Sequence, residues 1–247
     1  MDEYTRNTAN YWDTAISTGG RAQSVGIRVL PESVNYHRKA ALFQVIDRVL
    51  ANQSIKVDGC EVLDAGCGTG IYSEFYIENG ASVTGVDLSD EAIRDVGERL
   101  PGEYYQSSLD ELPFENDSFD LVHSFSVLYH IIVDDEWEQS LKELVRVCKP
   151  GGLLVLRIEW RDETVRRSKH VKHRARERYI EVMDEAGCSL VETNTFDDVV
   201  PFRSIFSLLN RLSLDSSAEL FGEIVGKAGL FAENPNQRVV VFRVPNR

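Results

Sequence analysis

The stretch EVLDAGCGTGIYSEFY, residues 61–76, constrains the fold more than any other part of the chain. Glu61-Val62-Leu63-Asp64 reads as a buried strand and Ile71 onward as a helix, with Gly66, Gly68 and Gly70 in the turn between them. Glycines let the backbone reverse sharply and approach a ligand with no Cβ in the way. The unpaired N–H groups of the first helical turn then point at that ligand. A dinucleotide site calls for G-x-G-x-x-G with a phosphate on the helix N-terminus. Here the spacing is G-x-G-x-G, and Ile71 stands where the third dinucleotide glycine belongs. Asp64 at the strand end would repel a pyrophosphate and suit a cationic ligand.

From Glu61 onward, strand and helix patterns alternate. ASVTGVDLS is a second strand and SDEAIRDVGERL a helix with Ser89 as its N-cap. GEYYQSS and SFDLVHSFSVL are the third and fourth strands. DDEWEQSLKELVRVCKPGG is a helix with acids in its first turn, stopped by Pro150 and glycine. GLLVLRIEW, CSLVETNTF and QRVVVFRV complete seven strands, with the helix ARERYIEVMDEAG between the first two of these. The pattern predicts an α/β fold, a doubly wound seven-stranded, mostly parallel sheet with ligands at the carboxyl ends of the strands. Helical cap elements are added to it. A single domain over 1–247 is expected, with an N-terminal helical lid at 1–56 and a cofactor-binding core at 57–196. An inserted helical cap follows at 197–236, where Ile205, Leu208, Leu209 and Leu212 fall at helical spacing, and 237–247 is the last strand. The two helical segments either cover the active face or pack on the side of the sheet.

A length of 247 residues suffices for one sizeable core. No apolar run approaches the roughly 20 residues that span a membrane, and MDEYTRNTAN lacks the basic-then-apolar pattern of a signal peptide. Cys60, Cys67, Cys148 and Cys188 form no C-x-x-C pair and read as reduced thiols, so a cytoplasmic protein is expected. A net charge of -13 argues against gripping nucleic acid through the general surface. No metal-ligand cluster is evident.

Asp87 ends the second strand, as expected of a carboxylate that accepts hydrogen bonds from two ribose hydroxyls. Joined to LDAGCGTG, LPFENDSFDLVHS and LVRVCKPGGLLVL, it makes the chain similar to the class I S-adenosylmethionine-dependent methyltransferases. The small-molecule branch that includes the ubiquinone-biosynthesis type resembles it most. The resemblance covers about residues 58–160 well, the following helix and strands loosely, and the two helical segments not at all. It implies S-adenosyl-L-methionine as cofactor and S-adenosyl-L-homocysteine as product. Asp64 and the backbone of Ala65, Gly66 and Cys67 would hold the methionine part, in the turn that Gly68 and Gly70 complete. Asp87 would take the ribose hydroxyls and Leu88 would lie against the adenine. Ser108 stands where the family usually has an acid for the adenine amino group, with the N–H of Leu109 still available to the ring. Ser124, read as just past the fourth strand, would face the methyl donor.

Methyl transfer from a sulfonium needs alignment and desolvation more than covalent help. An acceptor hydroxyl or ammonium must still lose a proton, and histidine suits that task near neutral pH. His130, after the fourth strand, is the candidate base, with a structural hydrogen-bonding role as the other reading. His123, inside that strand, is expected to pack against a neighbour. Tyr11 and Trp12 either close over the ligands or anchor the core.

RIEWRDETVRRSKHVKHRARERY holds nine of the chain's 27 lysines and arginines beside four acids. This island is either a solvated face or a means of capturing an anionic acceptor, with Arg166, Arg167 and His170 at the middle of a loop. The expected function is methyl transfer to an O or N atom of a small-molecule acceptor, one that is anionic or sugar-linked. An RNA or protein methyltransferase and a non-enzymatic cofactor-binding protein are the alternatives. The fourth strand lacks the N/D-P-P-Y/F run of DNA amino-methyltransferases.

Overall fold

The structure is a computed structural model that describes residues 3–18, 30–195, 197–199, 215–227, 232–233 and 236–246. Its centre is a seven-stranded sheet in the order β3-β2-β1-β4-β5-β11-β8. The strands are β1 (Glu61–Ala65), β2 (Ser82–Asp87), β3 (Glu103–Gln106), β4 (Phe119–Phe125), β5 (Cys148–Glu159), β8 (Ser189–Asn194) and β11 (Gln237–Arg243), with β9 (Asp197–Val199) and β10 (Ala232–Glu233) forming a separate antiparallel pair. Within the seven-stranded sheet β11 alone runs antiparallel, pairing with β5 and β8. The chain order reverses between β1 and β4, and at such a switch point the strand ends part to leave a crevice.

Both faces of the sheet are covered, which is why its central strands read as continuous apolar runs. Successive side chains point to opposite faces. Leu63, Val122 and Leu154 face α5 (Asp134–Val147) and α6 (Arg176–Glu185), packing with Trp137, Leu141, Tyr179 and Met183. Val62, Leu121 and Leu153 face α2 (Glu32–Asn52) and α3 (Ile71–Glu78), packing with Val45, Ile46, Tyr72 and Tyr76. α4 (Asp90–Arg99) follows β2, and its N-cap Ser89 accepts from the Ala92 N–H at 3.1 Å, as the sequence implies. α1 (Glu3–Thr18) packs against α4, and α7 (Asp215–Lys227) lies along α2, where Ser33 Oγ donates to Glu219 Oε2 at 2.7 Å.

Three local expectations need correction. β4 stops at Phe125 because Ser126 adopts a φ of 67°, which no strand accommodates, and the chain then makes a short 3-10 turn over Leu128–His130. α5 ends at Val147, before Pro150. Cys148 is already extended and pairs with Phe119, so the helix runs directly into β5. The basic island is a two-stranded antiparallel ribbon, β6 (Val165–Ser168) with β7 (Val171–His173), where a loop was expected. The expected helix over Ile205–Leu212 lies outside the described residues. No helix among the described residues is long and apolar enough to cross a membrane.

Candidate active site

A cavity of about 450 Å³ opens at the carboxyl ends of β1, β2 and β4. Its floor is the glycine turn, where Gly66, Gly68 and Gly70 take φ values of 86°, 51° and 72°. A Cβ on Gly66 would stand 2.2 Å from Val127 Cγ2, and one on Gly70 2.4 Å from Val96 Cγ2. Glycine is therefore required at both positions by sign of φ and by contact. Gly66, Cys67 and Gly68 line the cavity, whereas Gly70 sits behind them as the left-handed N-cap of α3.

Asp87 lines the cavity from the end of β2. Its Oδ2 accepts from the Gly68 N–H and its Oδ1 from the Ser89 N–H, both at 2.9 Å. Two backbone bonds fix the carboxylate and leave lone pairs for a ligand diol. Burial raises the Asp87 pKa, while the Ser89 and Gly68 amides oppose that shift. Leu88, Ser108 and Leu109 continue the wall from Asp87, and Asp110 joins them. Asp110 brings an acid to this wall two residues beyond Ser108, the position where the resemblance places one.

Asp64, Ala65 and Ser124 do not line the cavity. The Asp64 side chain is 1 % exposed, accepts from Ser73 Oγ at 2.6 Å and lies 3.6 Å from His123 Nε2. It is turned inward and serves the packing beneath the turn. Ser124 is inside β4 and gives its hydroxyl to the Ala65 carbonyl at 2.9 Å. The residue past the strand end that does face the cavity is Ser126, whose hydroxyl is held by Arg157. His123 sits in a cage of Tyr72, Tyr76 and Phe125, and burial lowers its pKa. Cys67 lines the cavity, yet burial, with Asp64 and Asp87 nearby, raises its thiol well above the usual range and makes it unreactive.

The other half of the cavity is aromatic. Tyr129, His130 and Ile131 rise from the turn after β4, and Thr5, Thr8, Tyr11, Trp12 and Ile16 descend from α1. Trp12 meets the His130 ring edge-on at 4.8 Å, and Tyr11 stacks on His170 at 4.8 Å. Asp13 fastens α1 on the Asp87 side, its Oδ1 accepting from Ser89 Oγ at 2.5 Å. α1 thus roofs both halves of the cavity. Nothing in the sequence singled out Asp13, because its partner is 76 residues away.

The basic ribbon stands beside this roof, and much of it is neutralised. Lys172 and Arg174 pair with Asp134, Arg178 with Glu138 and Glu181, and Arg176 with Glu177 and Asp162. His173 and Arg161 pair with Glu159, and these partners pull its pKa down to about 2 against its burial. Arg166 and Arg167 are exposed and do not line the cavity; Arg166 reaches only the Ser168 carbonyl, at 3.1 Å. His170 joins the site through its carbonyl, bound by His130, and through its ring on Tyr11.

Residues 63–156 match the model of a family described as a methyltransferase domain. Over 94 residues the chain is 34% identical to a malonyl-[acyl-carrier protein] O-methyltransferase of Enterobacter lignolyticus, covering 38% of this chain and 36% of that protein. Over 105 residues it is 38% identical to a demethylmenaquinone methyltransferase of Clavibacter sepedonicus, covering 40% of this chain and 41% of that one. The chain therefore spans less than half the length of these relatives. A crystal structure of magnesium protoporphyrin IX methyltransferase from Synechocystis PCC 6803 shares the fold, with a TM-score of 0.62 over 98% of both chains at 15% identity.

Proposed function

The chain carries a class I S-adenosylmethionine-dependent methyltransferase domain, matched over residues 63–156, and from that premise we propose that it methylates an O or N atom of a small molecule. The observation that carries this reading is Asp87, fixed by two amides at the rim of a glycine-floored cavity whose other half is aromatic. Asp87 would hold the ribose, with Leu88, Leu109 and Asp110 around the adenine and Gly66, Cys67 and Gly68 under the methionine part. When bound, the cofactor would supply an activated methyl for the acceptor's lone pair, with the sulfur as leaving group.

His130 holds the acceptor and receives its proton. Its Nδ1 is 2.9 Å from the His170 carbonyl oxygen, which can only accept. Nδ1 therefore carries the hydrogen and Nε2 the lone pair. Tyr11 and Trp12 keep water from the reacting atoms. Arg166 and Arg167, outside the cavity, steer an anionic acceptor toward it. A cytoplasmic setting suits four free thiols.

The test is transfer of isotopically labelled methyl from the cofactor to pools of small carboxylic acids, quinols, phosphate esters and sugar conjugates, with RNA and protein run in parallel. Label in a small-molecule pool supports the reading. Label confined to RNA or protein overturns the acceptor class, and binding without transfer to any pool favours a non-enzymatic cofactor-binding protein.

A further inference from the structure

We propose that Arg174 is a positioning residue for the acceptor half of the site, where residues 170–174 clamp the turn that carries His130. The inference rests on the reading that His130 receives the acceptor's proton. Arg174 is 2 % exposed, the most buried lysine or arginine among the described residues. Its Nη1 donates to the Ile131 carbonyl at 2.8 Å, its Nη2 to the Val133 carbonyl at 3.2 Å and its Nε to Asp134 Oδ1 at 2.9 Å. Its guanidinium lies over the Trp137 ring, 4.5 Å from the centroid. All four partners belong to the turn after β4 or to the first turn of α5, and Ile131 lines the cavity beside His130.

The neighbours of Arg174 grip the same turn. The His170 carbonyl takes the His130 Nδ1 hydrogen, Lys172 Nζ reaches both Asp134 carboxylate oxygens at 2.7 and 2.8 Å, and the His173 ring lies 5.0 Å from that of Tyr129. β7 thus packs against the 3-10 turn. Between Phe125 and Asp134 that short turn is the only regular element, so the carbonyls beyond it need partners that a ladder or a helix supplies elsewhere. Arginine suits this task because its planar fork holds several donors in fixed directions, where a lysine head is a single point charge. A guanidinium withdrawn from water is costly unless its donors are met, which restricts the side chain to this arrangement. Arg174 therefore fixes the main chain next to His130, and the His170 carbonyl sets the tautomer that leaves the lone pair on Nε2. The charge that reads in the sequence as anion capture is, at Arg174, directed at the protein's own carbonyls.

The experiment is nuclear magnetic resonance of the whole chain with isotope-labelled histidine near pH 7, for the parent, Arg174→Met, Arg174→Lys and Arg178→Met. The His130→Ala spectrum identifies the His130 signals. The parent should show the Nδ1–H tautomer of His130 alone, and both Arg174 variants a mixture that gains the Nε2–H form. Arg178→Met removes a charge paired with Glu138 and Glu181, outside this turn, and should match the parent. Labelled-methyl transfer to whichever pool the parent methylates should fall about 10–100-fold in kcat for Arg174→Met, with S-adenosylmethionine affinity within about twofold, because misplacement costs rate. A single Nδ1–H form in either Arg174 variant, an unchanged kcat, or a loss of cofactor affinity in step with kcat would overturn the proposal. Thermal unfolding checks that Arg174→Met is folded; if it is not, Arg174→Lys decides by the same signals. Parent-like turnover in His130→Ala removes the base reading itself, a separate failure that leaves the tautomer result standing.

Discussion

His130 gives its Nδ1 hydrogen to the main-chain carbonyl of His170 at 2.9 Å, joining the turn after β4 to the tip of the basic ribbon. Burial lowers the His130 pKa from 6.5 to about 4, although the His170 bond opposes the shift. The imidazole is therefore neutral throughout the physiological range, and it takes the acceptor's proton only as the new bond forms. Turnover should show no inflection from His130 between pH 6 and 7 and should fall only as pH approaches 4. His130→Ala should lower turnover about 100-fold with cofactor affinity held. Parent-like turnover in that variant would leave His130 a structural role.

The same shift has a consequence for stability. Because the folded pKa is depressed, the stability His130 contributes is fully present above 6.5 and is lost as pH falls from there toward 4. Urea unfolding of the parent and of His130→Phe across that window should show a steeper decline for the parent. Parallel curves would mean that His130 titrates normally in the folded chain.

Asp13 ties the roof to the cofactor side through Ser89. Removing a hydrogen bond to a charged group costs about 1.5–3 kcal/mol when the site is partly buried. Asp13→Ala should therefore speed amide exchange across α1 by roughly ten- to a hundredfold while the central strands keep their protection. Unchanged exchange in α1 would show that the Trp12 and Tyr11 contacts alone hold the roof.

Arg166 and Arg167 lie outside the cavity, so they act at a distance and salt should screen them. Their double replacement by alanine should raise KM for an anionic acceptor at low ionic strength and leave kcat and cofactor affinity unchanged. The difference should vanish near 0.5 M salt, where the Debye length falls to about 4 Å. A KM equal to the parent's at low salt would make the ribbon a solvated face.

Beneath the glycine turn, Ser73 satisfies the buried Asp64 carboxylate. Ser73→Ala should cost about 1.5–3 kcal/mol of unfolding free energy in urea. A loss under about 0.5 kcal/mol would show that the carboxylate finds another donor.

The sheet was legible because its short continuous apolar runs and turn glycines are local signals. Val62-Leu63 and Leu153-Leu154 could only be strands buried on both faces, and Gly66 to Gly70 marks its turn by spacing alone. The site was less legible, since side-chain direction depends on partners remote in sequence. Asp64 looked like a ligand-facing acid, and Ser73, nine residues on, turns it inward. Ser124 reads as just past the fourth strand, whereas β4 runs on to Phe125 and the chain turns away only at Ser126, whose positive φ leaves no pattern in the residues around it. The ribbon's ion pairs were hidden likewise, with Asp134 and Glu138 lying about 40 residues from Arg174 and Arg178.

The central claim is that the glycine turn and Asp87 form an S-adenosylmethionine site, and calorimetric titration of the parent and Asp87→Ala measures it directly. The parent should bind S-adenosylmethionine and S-adenosylhomocysteine and ignore NAD. Asp87→Ala should lose about 2–3 kcal/mol of that binding, since it removes a charged acceptor for two hydroxyls. Tight binding of NAD by the parent, or unchanged S-adenosylmethionine affinity in the variant, would contradict the account.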